Sequence, residues 1–325
     1  MNVSHYKPAW WLPGGHLQTL WSSFKRRKFS LKTVRERFIL PDKDFIDLDW
    51  VESENNNSGP IVIVMHGLEG SIKSSYVRGI LSALKHSGFR AVLMNFRGCS
   101  GEHNHTTKAY HAGETGDFDF LIQTLHARYP DTKLAAIGFS LGGNVLLKYL
   151  GETQANNFLS CAVAVSVPFL LNRSADRMQA GFSIIYQKKL LALLRKKMIN
   201  KNKLLPLPVD INSIKNIKNF WQFDADITAK LYGFKDASEY YKESSSAHYL
   251  SSIEIPTLIL HARNDPFLYA DAIPLQSMLP ACVQLQLSKS GGHVGFVAGS
   301  LPWRARYWLE EKIPNYIKNT ICIKK

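Results

Sequence analysis

With 325 residues, 45% hydrophobic and 20% charged, the chain can fill one sizeable core and lacks the composition of a disordered or fibrous protein. Its formal net charge of +14 draws it toward anionic surfaces without choosing among lipid, nucleic acid and acidic substrate. Cys99, Cys161, Cys282 and Cys322 are widely spaced and form no CxxC pair, which argues against a zinc or dithiol centre and fits free thiols in a reducing compartment.

Residues 1–15 lack the basic and apolar regions of a secretory leader, and the strongly apolar stretches near 161–171 are too short to span a bilayer, so the cytoplasm is the expected location. The first forty residues, with Trp10, Trp11 and Trp21, read as an irregular arm over the core. Asn55 to Gly59 reads as a polar turn. Pro60–Met65 is a β-branched apolar run ending at His66-Gly67, the mark of a buried parallel strand entering a loop. A helix is expected over Tyr76–Ser87 and a strand over Arg90–Phe96, followed by a helix over Asp117–Tyr129 and a strand over Lys133–Gly138. Then come a helix over Gly142–Leu150 and strands over Cys161–Val167, Pro256–His261 and Val283–Leu287. This alternation implies right-handed crossovers and a mostly parallel, doubly wound α/β sheet in one domain spanning 1–325.

The alternation lapses from about 168 to 250 into helical, lysine-rich sequence, about eighty residues and far longer than an ordinary loop, which predicts an inserted helical cap. Within it, Gln187–Lys203 carries seven basic residues and no acidic one among leucines at helical spacing. A solvated face is the plainer expectation, and peripheral contact with an anionic membrane the sharper one. No aromatic-rich nucleic-acid motif accompanies the charge, so nucleic acid is not expected as a partner. The oligomeric state is not legible.

Gly138-Phe139-Ser140-Leu141-Gly142 fits G-x-S-x-G, and it lies between a strand and a helix, where a sharp turn flanked by small residues lifts a hydroxyl out of the sheet. Serine attacks a carbonyl only when a base takes its proton. Of the eleven histidines, His293 in Gly291-Gly292-His293-Val294-Gly295 follows the last strand, where an imidazole reaches back over the sheet edge. Asp265, just past the strand PTLILH, is placed to accept its N–H, with Asp271 as the fallback. The amides of Leu141 and Leu68 are the expected oxyanion donors, the latter from the loop His66–Gly70. Glu102, His103, His105 and His111 make only a weak metal pattern and read as water-exposed loop residues; no metal or organic cofactor is expected.

Several longer segments carry a family resemblance. They are Trp10 to Thr19 (WWLPGGHLQT), His66 to Gly70, Asn95 to Glu102 (NFRGCSGE), Tyr110 to Thr115, the Ser140 turn, Asn264 to Phe267 and Gly291 to Phe296. On them the sequence resembles the YheT-like hydrolases of the α/β-hydrolase superfamily, a group that includes animal membrane-associated lipases and yeast ethanol acyltransferases. The resemblance implies the α/β-hydrolase fold, a relay of Ser140, Asp265 and His293, and hydrolysis of small-molecule carboxylic esters through an acyl-enzyme on Ser140. Transfer of the acyl group to an alcohol, or a non-catalytic binding role on a retained fold, are the alternatives. His16 and Tyr110–Thr115 belong to the resembling segments without assignable chemistry; capping and anchoring of the insertion are the roles expected of them.

Overall fold

The computed structural model describes residues 6–24, 30–51 and 59–322, the side chains of 23, 24 and 322 excepted. Asn55–Ser58 of the expected polar turn lie outside the described residues. At one edge of the sheet, β1 (Thr33–Ile39) pairs antiparallel with β2 (Phe45–Val51). The remaining strands are β3 (Ile61–Met65), β4 (Arg90–Asn95), β5 (Leu134–Phe139), β6 (Leu159–Val165), β7 (Thr257–Ala262) and β8 (Val283–Ser288), and they run parallel. The order across the sheet is β1-β2-β4-β3-β5-β6-β7-β8.

Helices α1 (Gly14–Phe24), α2 (Ser75–His86), α3 (Gly116–Arg128) and α4 (Leu141–Thr153) precede the insertion. Between β6 and β7 come α5 (Leu171–Met178), α6 (Ser183–Leu204), α7 (Ile211–Ile214), α8 (Phe220–Phe223), α9 (Ala229–Tyr232) and α10 (Ala237–Ser244), with a π-helical turn at Asp224–Thr228. The chain closes on α11 (Trp308–Cys322). Because strand side chains alternate, Ile61, Ile63 and Met65 join one core with Phe118, Leu121 and Leu146, while Val62 and Val64 join another with Ile80, Leu84 and Ile313. Covering both faces is why these strands read as continuous apolar runs. The insertion has a smaller cluster of its own, including Leu191, Leu194, Ile214 and Phe223.

Strand and helix boundaries lie within three residues of those expected. Two expectations are corrected. The first forty residues are not an irregular arm, since they hold α1 and β1. The basic stretch of α6 is not wholly solvated: Lys188, Lys189, Lys196 and Lys203 are exposed, but Lys197 is half-buried and Lys201 buried, because positions four apart on a helix share a face. Among the described residues no helix is long and apolar enough to cross a membrane.

Candidate active site

From β3 the chain moves outward to β4 and then returns to pair β5 on the other side of β3, so a crevice opens where the two directions part. Met65 of β3 stands opposite Gly138 of β5, which sets the loop after β3 beside the turn after β5. Ser140 occupies that turn at φ 52° and ψ −118°, a conformation that non-glycine residues adopt only when their surroundings impose it. The flanking glycines provide the space. A Cβ on Gly138 would lie 2.4 Å from the Gly142 carbonyl oxygen, and one on Gly142 would lie 2.6 Å from that of His66. The turn is tied down by Ser140 N–H donating to the Val165 carbonyl at 2.8 Å.

The structure brings Ser140, His293 and Asp265 together. The Nε2 of His293 is 2.9 Å from Ser140 Oγ, and its Nδ1 is 2.8 Å from Asp265 Oδ2. A carboxylate only accepts, so Nδ1 carries the proton and Nε2 is left to accept from the serine hydroxyl. Asp265 is buried, and its Oδ1 accepts the Phe267 amide at 2.8 Å. The Phe267 ring stacks on the imidazole with centroids 4.0 Å apart and planes 6° off parallel, which limits ring rotation. Asp271, the fallback acid, lies outside the site and pairs with Arg173 at 2.7 Å.

Backbone amides hold the histidine loop from three directions. Gly292 N–H donates to Asn264 Oδ1 at 3.1 Å, His293 N–H to Thr19 Oγ1 at 2.8 Å, and Val294 N–H to Ser166 Oγ at 3.0 Å. Thr19 and its neighbour Gln18, whose Oε1 accepts the Val297 amide at 2.8 Å, are site-supporting residues that the sequence did not single out. The WWLPGGHLQT segment thus has a physical use. It starts α1 with Gly15 packed so close to Asn264 that a Cβ would meet the Asn264 carbonyl oxygen at 1.9 Å.

In the loop after β3, Gly67 N–H donates to Tyr76 Oη at 2.8 Å, Glu69 N–H to Tyr110 Oη at 2.9 Å, and Gly70 N–H to the Gly67 carbonyl at 2.9 Å. Among the described residues no such bond is seen for the Leu68 amide between them. Leu141 begins α4, so its amide is among the first-turn donors that a helix cannot satisfy internally. Gly67 lies against the nucleophile turn, where a Cβ would be 3.2 Å from Ser140 Cβ. The loop carrying the Leu68 amide and the first turn carrying the Leu141 amide thus both lie beside Ser140.

Glu69 stands at φ 54° and is fixed from the insertion: Lys197 Nζ is 2.6 Å from its Oε1, and Tyr110 Oη donates to the same oxygen at 2.7 Å. The sequence treated Lys197 as one more surface lysine. A cavity of about 140 Å³ opens at Ser140 and His293, roofed by the insertion through such residues as Met178, Leu194, Phe223 and Tyr241.

His111 is buried rather than water-exposed, and burial holds its imidazole down at about 3, so it stays neutral. Its Nδ1 accepts the Gly113 amide at 3.1 Å. Glu102 pairs with Arg37 at 2.7 Å, and among the described residues no group of three or more His, Cys, Asp or Glu is arranged to hold a metal. His16 meets α6 instead, with Nδ1 3.2 Å from Tyr186 Oη, and Tyr110–Thr115 meets α10 where the Ala112 amide donates to Tyr240 Oη at 3.1 Å. Both contacts join these segments to helices that lie between β6 and β7.

The sheet order, the strand-to-helix serine turn and the inserted helices define an α/β hydrolase, and the model of the alpha/beta hydrolase fold matches residues 60–300. The chain belongs to that family and, within it, to the YheT-like hydrolases: it is 39% identical over 305 residues to YheT of Escherichia coli (strain K12), a candidate esterase, covering 93% of this chain and 89% of that one. It is also 28% identical to human phospholipase ABHD3 over 93% of this chain and 76% of that protein. The fold matches the esterase Pf2001 of Pyrococcus furiosus with a TM-score of 0.58 at 18% identity, over 90% of this chain and 96% of that one.

Proposed function

We propose that this protein hydrolyses carboxylic esters of small molecules through an acyl-enzyme on Ser140. The observation that carries this function is the His293 imidazole lying between the Ser140 hydroxyl and the Asp265 carboxylate at one end of a cavity. The relatives named as candidate esterase and as phospholipase support the same chemistry.

Nε2 of His293 takes the hydroxyl proton as Ser140 Oγ bonds to the carbonyl carbon. The Leu68 and Leu141 amides hold the oxyanion, and Asp265 stabilises the imidazolium. When the intermediate collapses, the C–O bond to the alcohol breaks and His293 returns the proton to the leaving oxygen. Water, deprotonated by the same imidazole, then attacks the acyl carbon and frees Ser140 and the carboxylic acid. The insertion roofs the cavity as a cap, in a cytoplasmic setting.

The test is turnover of graded acyl esters, together with fluorophosphonate labelling, by wild type and Ser140→Ala. Turnover should fall by about a thousandfold or more, and labelling should vanish. Near-normal turnover in the variant would overturn the assignment.

A further inference from the structure

The cavity at Ser140 is largely apolar, yet Asp224 lies on its wall. The carboxylate accepts from Thr228 Oγ1 at 2.7 Å and from Tyr241 Oη at 2.6 Å, and among the described residues no ion pair reaches it. A carboxylate offers about four acceptor positions, so two hydroxyls leave capacity for another donor. The lining contains neither lysine nor arginine, and its buried His111 is neutral. In a chain of net charge +14, the wall of this cavity therefore has the opposite polarity to the surface.

The backbone is bent to put the acid there. Asp224 begins the π-helical turn Asp224–Thr228 between α8 and α9, and such turns inside helical segments commonly occur at functional positions. Thr228 at the end of the same turn supplies one brace and Tyr241 of α10 the other. Phe220, Phe223 and Tyr240 complete this part of the wall. Aromatic faces beside a carboxylate suit a positively polarised group and repel an anionic one.

We propose that Asp224, braced by Thr228 and Tyr241, is a specificity residue that selects esters whose cavity-bound portion carries a hydroxyl donor or an ammonium group over esters that are purely hydrocarbon. This selection rests on the ester hydrolysis proposed above. Burial raises the Asp224 carboxyl to about 6, against the lowering effect of its bonds to Thr228 and Tyr241, so the wall gains negative charge as pH rises through that range. Preference for the ammonium ester should rise with it, whereas preference for a hydroxyl should change less.

The test compares methyl laurate with glycerol monolaurate, methyl ω-hydroxylaurate and lauroylcholine, so that hydroxyls at either end and a cation are read separately. In wild type, at least one of the three polar esters should exceed methyl laurate in kcat/KM by about tenfold, the scale of one hydrogen bond to a charged group. Thr228 and Tyr241 donate to different oxygens of Asp224, so Asp224→Asn keeps an oxygen for one hydroxyl and turns its NH2 to the other, which can accept from it; in this variant that ratio should fall close to one. A purely structural Asp224 would move all four esters together. Calorimetric binding of the same esters to Ser140→Ala reads the preference without turnover, so failure of ester hydrolysis and failure of selection are separable. Equal affinity for all four, or a ratio that survives in Asp224→Asn, overturns the proposal.

Discussion

Lys197 on α6 of the insertion reaches the carboxylate of Glu69 at 2.6 Å, one residue beyond the Leu68 amide that flanks Ser140. The bond is well shielded, with side-chain exposures of 12% and 9%. It joins α6, which lines the cavity through Leu190 and Leu194, to the loop whose Leu68 amide is the proposed oxyanion donor.

Lys197→Met should therefore lower kcat by about tenfold with a smaller effect on KM, since a lost oxyanion donor geometry costs transition-state rather than ground-state binding. Leaving Glu69 unpaired should also cost stability, about 3 kcal/mol. Adding Glu69→Gln removes the orphaned charge, and the double variant should regain part of its denaturation midpoint without regaining kcat. Steady-state kinetics and urea melts read both, and an unchanged kcat in Lys197→Met refutes the positioning role.

Thr19 supports His293 from the other end of the sequence, accepting its amide at 2.8 Å while donating to the Gly15 carbonyl at 2.7 Å. Thr19→Val preserves shape and removes both bonds. Expected are a loss of about 1–2 kcal/mol in stability and a fall of about tenfold in kcat/KM as the histidine loop loosens. If kcat/KM matches wild type while the melt shifts, Thr19 serves the fold alone.

The contrast between Ser140 and Thr19 shows what a single sequence can disclose. The strand, the small flanking residues and the helix that shape the serine turn are neighbours in the chain, so the signal is local. Thr19 and His293 are 274 positions apart, and a threonine in an apolar, glycine-led segment carries no mark of that meeting. Helix α1 was missed for a related reason: Gly14 and Gly15 are poor helix formers, Gly15 being needed because Asn264 leaves no room for a Cβ there and Gly14 because its φ of 78° favours glycine. Periodicity disclosed that α6 is a helix. It could not disclose that Lys201 turns inward to donate to Asn104 Oδ1 at 2.8 Å, because that partner comes from a distant loop.

Three buried imidazoles make stability depend on acid. Burial lowers His66 and His261 to about 4 and His111 to about 3, all below the ordinary 6.5. The unfolded chain thus binds more protons between roughly pH 6.5 and 4, so the stability these groups contribute is present above 6.5 and is lost as pH falls through that window. Asp224, raised to about 6, and Glu114, also raised by burial, act in the opposite sense, but burial lowers His16 and His103 as well, so the lowered imidazoles outnumber the raised carboxyls. The urea midpoint should fall steadily from pH 7 to 4. In His111→Gln the fall should be shallower even if the midpoint at pH 7 is lower, and an identical slope would exclude His111 from the effect.

The outer face of α6 combines exposed Lys188, Lys189 and Lys196 with Ile185 at 54% and Leu193 at 41% exposure. Basic charge interleaved with apolar side chains on one helix suits shallow docking at an anionic bilayer surface, and this helix also roofs the cavity. The protein should co-sediment with vesicles rich in phosphatidylglycerol at low salt and release as salt rises, because screening weakens attraction between exposed charges. Replacing Lys188, Lys189 and Lys196 with glutamate should abolish co-sedimentation while the urea midpoint, set by buried contacts, stays near wild type. Equal sedimentation with phosphatidylcholine vesicles, or none with either lipid, would mean that these lysines serve only to keep the helix hydrated.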